Sequence, residues 1–149
     1  MANTSPMKRL RNLAEQTFSD TTRQLGNAQQ TYTSALKQLE QLENYEQEYQ
    51  QQLQNNIVDK GISVIDLLTR QSFISSLRNV VKQHSRHVVA CQHSVEQTLS
   101  VWKYDKQRLN AFDVLVNRTD AARMLKESRQ EQKLMDEFAQ RAGLRSKPL

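Results

Sequence analysis

The chain has 149 residues, a hydrophobic fraction of 37% and a formal net charge of +5, against the roughly 45–50% apolar share of an ordinary globular domain. Gly occurs 3 times, Pro only at positions 6 and 148, and Gln 19 times. This composition excludes glycine-rich sandwiches, barrels and βαβ enzymes, and favours long helices with narrow apolar seams.

The first predicted element covers residues 5–56, with Ser5 as N-cap and Pro6 in the first turn. A spacing of about 3.5 residues runs through Phe18, Thr21, Leu25, Ala28, Tyr32, Ala35, Leu39, Leu42, Glu46, Tyr49 and Leu53. A seam sustained over that many heptads reads as coiled coil, not as a surface helix of a globular domain. Gly26 interrupts it at a cost of about 1 kcal/mol against Ala, so a close neighbour is expected there.

Residues 57–69 read as a connector. Asp59-Lys60-Gly61 is a turn signal, with Gly supplying positive φ. Ile62, Val64, Ile65, Leu67 and Leu68 are too densely apolar for a bare loop, and predict a short helix or tucked segment capping the open end of a hairpin.

The second long element covers residues 70–142. Its seam is Ile74, Leu77, Val81, His84, Val88, Cys91, Val95, Thr98, Trp102, Asp105, Leu109, Phe112 and Val116. At about 1.5 Å per residue the two helices would span roughly 78 and 110 Å, so the fold class is all-α: one antiparallel two-helix coiled coil over residues 1–149, monomeric and elongated. Folding about Gly61 makes facing positions sum to about 126 by the 3.5-residue count. Leu53 then meets Phe73, Tyr49 meets Leu77, Leu42 meets His84, and Thr21 opposite Asp105 forms a polar layer that fixes register. Residues 31–56 carry one Lys against four Glu, and residues 70–112 seven Lys/Arg against two acids. Such complementary flanks select an antiparallel partner.

The same count exhausts the first helix near Ser5. Residues 122–142 are left without an intrachain partner, yet Leu134, Phe138 and Ala142 form one apolar face at i, i+4, i+8. Lys126, Arg129, Lys133 and Arg141 surround it. An unmatched apolar stripe on an isolated helix points to a binding partner.

No catalytic constellation is visible, and no glycine-rich phosphate loop, so no enzymatic activity and no cofactor are expected. His84 and His87 stand at i, i+3 without a carboxylate beside them, and no metal site is expected. The single Cys91 excludes an internal disulfide and fits a reduced compartment. The segment MANTSPMKRLRN lacks an apolar signal core. The aliphatic runs fall far short of the ~20 residues of a membrane span, so no integral membrane segment is expected. The basic residues are dispersed and interleaved with acids, unlike a basic-region helix that grips DNA. No nucleic-acid partner is expected, although a basic nucleic-acid-binding helix and a generic structural rod are the alternative readings.

Several stretches resemble the FliJ family, the small coiled-coil component of the bacterial flagellar type III export apparatus. The most specific is Gln132-Lys133-Leu134-Met135-Asp136-Glu137-Phe138-Ala139-Gln140-Arg141-Ala142. Trp102, Lys106-Gln107-Arg108-Leu109, Leu10, Leu13-Ala14-Glu15, Leu25-Gly26, Tyr45 and Glu48-Tyr49 add to it, and the resemblance covers essentially the whole chain. It implies a non-enzymatic cytoplasmic protein, peripherally associated with the inner membrane at the flagellar base. By likeness to the central γ stalk of rotary ATPases, such a protein promotes assembly and activity of the hexameric flagellar export ATPase. It also contacts the FlhA export gate and handles export chaperones. The gate-contact pattern falls on Gln38, Leu42, Tyr45, Tyr49, Phe73, Leu77 and His84, with Val80 standing where the family can have a smaller Ala. Contact with the ATPase ring falls on the joined terminal ends, at Leu10, Leu13, Leu134, Phe138 and Arg141.

Overall fold

A computed structural model of the chain describes residues 5–146, with side chains through residue 144. It contains two helices, α1 over Pro6–Asp59 and α2 over Val64–Ser146, of 54 and 83 residues. Residues 60–63 join them. The fold is the expected all-α helical hairpin, with no strand among the described residues. Two compact units share the helices, one bounded by Met1–Phe18 and Asp105–Leu149, the other by Ser19–Tyr104.

The start of α1 follows from its first two residues. Ser5 Oγ accepts a hydrogen bond from the Lys8 amide at 3.3 Å, and its carbonyl accepts from Arg9 N at 3.2 Å. Pro6 then occupies the first helical position, where its missing N–H leaves no bond unmade.

The connector is shorter than its apolar content suggests. α1 continues through Asp59 and α2 begins at Val64, so most of the expected 57–69 segment is helical and continuous with the long helices. A tight turn suffices because both of its ends are specified. Gly61 takes φ of +65°, the left-handed region that costs other L-residues roughly 1–2 kcal/mol. Ser63 then caps α2: Oγ accepts from Asp66 N at 3.1 Å and the carbonyl from Leu67 N at 3.0 Å. Asp66 adds a carboxylate to the first turn, where the helix dipole favours negative charge.

The short turn also sets the register. Glu46 meets Arg78 and Thr22 meets Trp102, pairs that sum to 124, while Tyr49 stacks against Phe73 and not opposite Leu77. Cross-helix contacts thus fall on either side of the expected sum of 126, since Lys8 and Asp120 sum to 128, and α2 begins at Val64 directly after its cap Ser63.

The core of the Ser19–Tyr104 unit is narrow. Ala35, Val88 and Cys91 are buried together, with Tyr32 and Leu39 packed against them. Small residues at Ala35 and Cys91 let the helices approach while Tyr32 and Leu39 fill the flanks. Leu25, Leu53, Ile74 and Leu77 are buried at other seam positions, and so is Thr21. In the other unit Ala14 and Asp105 are buried. Arg11 Nε donates to Asp113 Oδ1 at 2.6 Å and another guanidinium nitrogen to Glu15 Oε2 at 2.8 Å, while Lys8 lies 3.8 Å from Asp120. The hydrogen bond to Asp113, then the charges of Asp113 and Glu15, hold the Arg11 pKa above its ordinary value.

Gly26 does not mark a close approach. A Cβ built there meets nothing within 4 Å, so the residue is an open helical glycine. Replacing it by Ala should stabilise the fold by about 1 kcal/mol through helix propensity alone. Gly61→Ala, also in open space, should destabilise by roughly 1–2 kcal/mol because of its φ. Urea unfolding followed by helicity checks both signs.

Candidate functional site

Two regions carry the candidate contact residues, one in each unit. In the Ser19–Tyr104 unit, Tyr49 and Phe73 form the anchor. Their ring centroids are 4.7 Å apart at an interplanar angle of 48°, an arrangement worth about 0.5–1.5 kcal/mol beyond the area it buries. Tyr49 is half-buried, whereas Phe73 keeps 43% of its surface exposed. One turn before Tyr49, Tyr45 is 50% exposed. Its ring is not committed to the seam, and an exposed Tyr offers both an apolar face and a hydroxyl to a partner.

Around this aromatic group the remaining residues differ. Leu42 is half-buried and Gln38 is exposed. Gln38 lines a polar groove of about 500 Å³ with Asn27, Gln30, Thr31, Ser34 and His87. Leu77 is only 8% exposed and belongs to the core. His84 is half-buried, and its Nε2 lies 3.0 Å from the Ala35 carbonyl. With a carbonyl as partner, Nε2 must carry the proton and donate. Leu77 and His84 therefore brace the two helices, while Gln38, Tyr45 and Phe73 present surface. Val80 is also exposed.

The basic and acidic flanks meet as the composition suggested. Arg78 Nε donates to Glu46 Oε1 at 3.0 Å. The Gln50 amide, oriented with its oxygen toward Arg78, accepts from the same guanidinium. Glu46, an apparent defect in the apolar seam, is thus a cross-helix ion-pair residue.

The second region is the terminal one. Every side chain from residue 121 to 144 is exposed, although the helix is continuous to Ser146. Leu134 and Phe138 are 65% and 74% exposed, with Met124, Leu125, Met135 and Leu144 also open. Arg141 is exposed on the same stretch. On α1, Leu10 and Leu13 are 43% and 59% exposed and line a small groove with Ala14, Thr17, Asp105 and Arg108. The structure thus brings Leu10 and Leu13 into the same unit as Leu134, Phe138 and Arg141.

Among the described residues, no group of three or more His, Cys, Asp or Glu side chains is placed to hold a metal ion. His87 Nε2 contacts Cys91 Sγ at 3.6 Å and stacks near His84 at 5.6 Å. No described helix is long and apolar enough to cross a membrane.

The family model described as "Flagellar FliJ protein" matches residues 3–148. The chain belongs to the FliJ family. A flagellar FliJ protein of Salmonella typhi is 37% identical over 145 residues, covering 97% of this chain and 98% of the relative. A flagellar FliJ protein of Escherichia coli strain K12 is 36% identical over the same coverage. Membership supports a role in flagellar export as a component of that machinery.

Proposed function

We propose that the chain is a non-enzymatic, stalk-like component of the flagellar type III export apparatus that promotes assembly and activity of the hexameric export ATPase. The observation that supports this most is the terminal unit. It carries a long helix whose apolar stripe and basic neighbours are exposed. In this reading Leu134, Phe138 and Arg141, with Leu10 and Leu13, touch successive ATPase subunits. Ring assembly follows because binding energy is gained only in the assembled arrangement.

The surface around Tyr45 then serves the FlhA export gate. Tyr45, Phe73 and Gln38 supply contact, Leu42 and Tyr49 back them, and Leu77 with His84 keep the two helices in register beneath. The same protein handles export chaperones and works in the cytoplasm, peripherally at the inner membrane of the flagellar base. Gel filtration of the purified export ATPase with a non-hydrolysable ATP analogue tests the assembly step. Adding the chain should move ATPase from monomer to hexamer. An unchanged elution profile would contradict the reading.

A further inference from the structure

A groove near the turn adjoins the aromatic region and shares Gln50 and Arg78 with the ion pair described above. Its floor is apolar: Leu53 and Ile74 are buried, and Leu67 is half-buried. Its volume is about 440 Å³, and Gln50, Gln54 and Gln71 line it with neutral amides. At one end stands Arg78, whose side chain stays 59% exposed even while paired with Glu46. At the other end Ile57 lines the groove, and Ile57, Val58, Val64, Ile65 and Leu68 are exposed at 43%, 81%, 72%, 75% and 60%. A helical hairpin with this much aliphatic surface beside an apolar-floored groove is incomplete as a soluble surface.

We propose that the groove docks an acidic amphipathic helix of another protein. Two helices that leave an apolar groove between them accept a third helix through anchors at i, i+3 or i+4 and i+7. The charge pattern selects the sign of that helix. Lys82 and Arg86 follow Arg78 along α2 at i+4 and i+8, and both are exposed. Between residues 78 and 86 α2 carries no acid. A helix seated on Leu53, Leu67 and Ile74 therefore runs with one flank beside a basic row, where Asp and Glu are favoured and Lys is repelled. A lipid surface is the poorer match, because the amides of Gln50, Gln54 and Gln71 in the lining would lose their water against acyl chains.

The test uses the full chain and a fluorescent amphipathic peptide of about 18 residues, long enough to hold helix on contact. Its Leu anchors are fixed and its flank carries Glu in one version and Lys in the other. The Glu peptide should bind, and the Lys peptide should bind at least about tenfold more weakly, a difference that added salt narrows. Ile57→Glu should weaken the Glu peptide about tenfold by placing a like charge in the groove. Lys82→Glu should do so without disturbing the Arg78–Glu46 pair, and circular dichroism confirms that each variant keeps its helices. Tyr45→Ala should leave peptide binding unchanged, which separates this site from the proposed gate surface. Equal binding of the two peptides, no binding by either, or indifference to both substitutions would overturn the proposal. So would a chain that ignores the Glu peptide yet binds phosphatidylcholine–phosphatidylglycerol vesicles or self-associates in an Ile57-dependent way.

Discussion

Truncation after Ala121 should abolish stimulation of the export ATPase while leaving the rest of the hairpin folded. The removed stretch has no buried side chain among its described residues, so its loss withdraws little packing from the remainder. The buried seam residues, from Ala14 and Leu25 through Leu53, Ile74, Val88 and Asp105, all lie before the cut. The pair Leu134→Ala and Phe138→Ala should have the same effect at smaller structural cost, since both side chains are more than half exposed. A free helix of this kind is marginal in water and should fray when unbound, giving fast amide exchange that slows on adding the ATPase. Full stimulation by the truncated chain would move the ATPase contact onto Leu10 and Leu13.

The second large effect is expected at the aromatic surface. Tyr45→Ala should weaken binding to the FlhA gate on the order of tenfold or more, the scale of an aromatic anchor truncated at an interface. It should not alter stability, because the ring lies half in solvent. Tyr49→Ala and Phe73→Ala should also weaken gate binding. Because their rings pack on one another across the two helices, each should in addition cost stability. The loss should approach about 3 kcal/mol, the lower end for truncating a buried aromatic, for the half-buried Tyr49 and be smaller for Phe73. Titration with the cytoplasmic region of FlhA, alongside urea unfolding of each variant, separates the two contributions. Unchanged affinity of a folded Tyr45→Ala protein would place the gate contact elsewhere.

Much of the fold was legible because helix period, capping and glycine placement act locally. Ser5 and Pro6 specify the start of α1 by themselves, and the missing partner for residues 122–142 follows from counting. The turn is shorter than the sequence suggests for an identifiable reason. Its apolar residues suggested a separate segment, but Ser63-Val64-Ile65-Asp66 is itself a capping signature, and recognising it places the start of α2 correctly. Gly26 lies in open space; an isolated helical glycine does not specify what lies beside it. Glu46 breaks the apolar seam because Arg78 stands across from it, a pairing that depends on register to within half a turn. The candidate sites were less legible for the same reason. Periodicity places Tyr45, Tyr49, Phe73 and Leu77 near one seam, but only packing shows that Leu77 is core and Tyr45 is surface. The groove beside Ile57 and Leu67 draws on both helices, so no single stretch of sequence displays it.

The central claim is that the chain is a non-enzymatic activator of the export ATPase, and steady-state ATP turnover tests it most directly. The purified chain alone, the export ATPase alone and the two mixed at rising ratios are compared at fixed ionic strength. The account predicts no hydrolysis by the chain, and turnover by the ATPase that rises to a plateau as the chain is added. An ATPase rate independent of added chain would contradict it, as would hydrolysis by the chain itself.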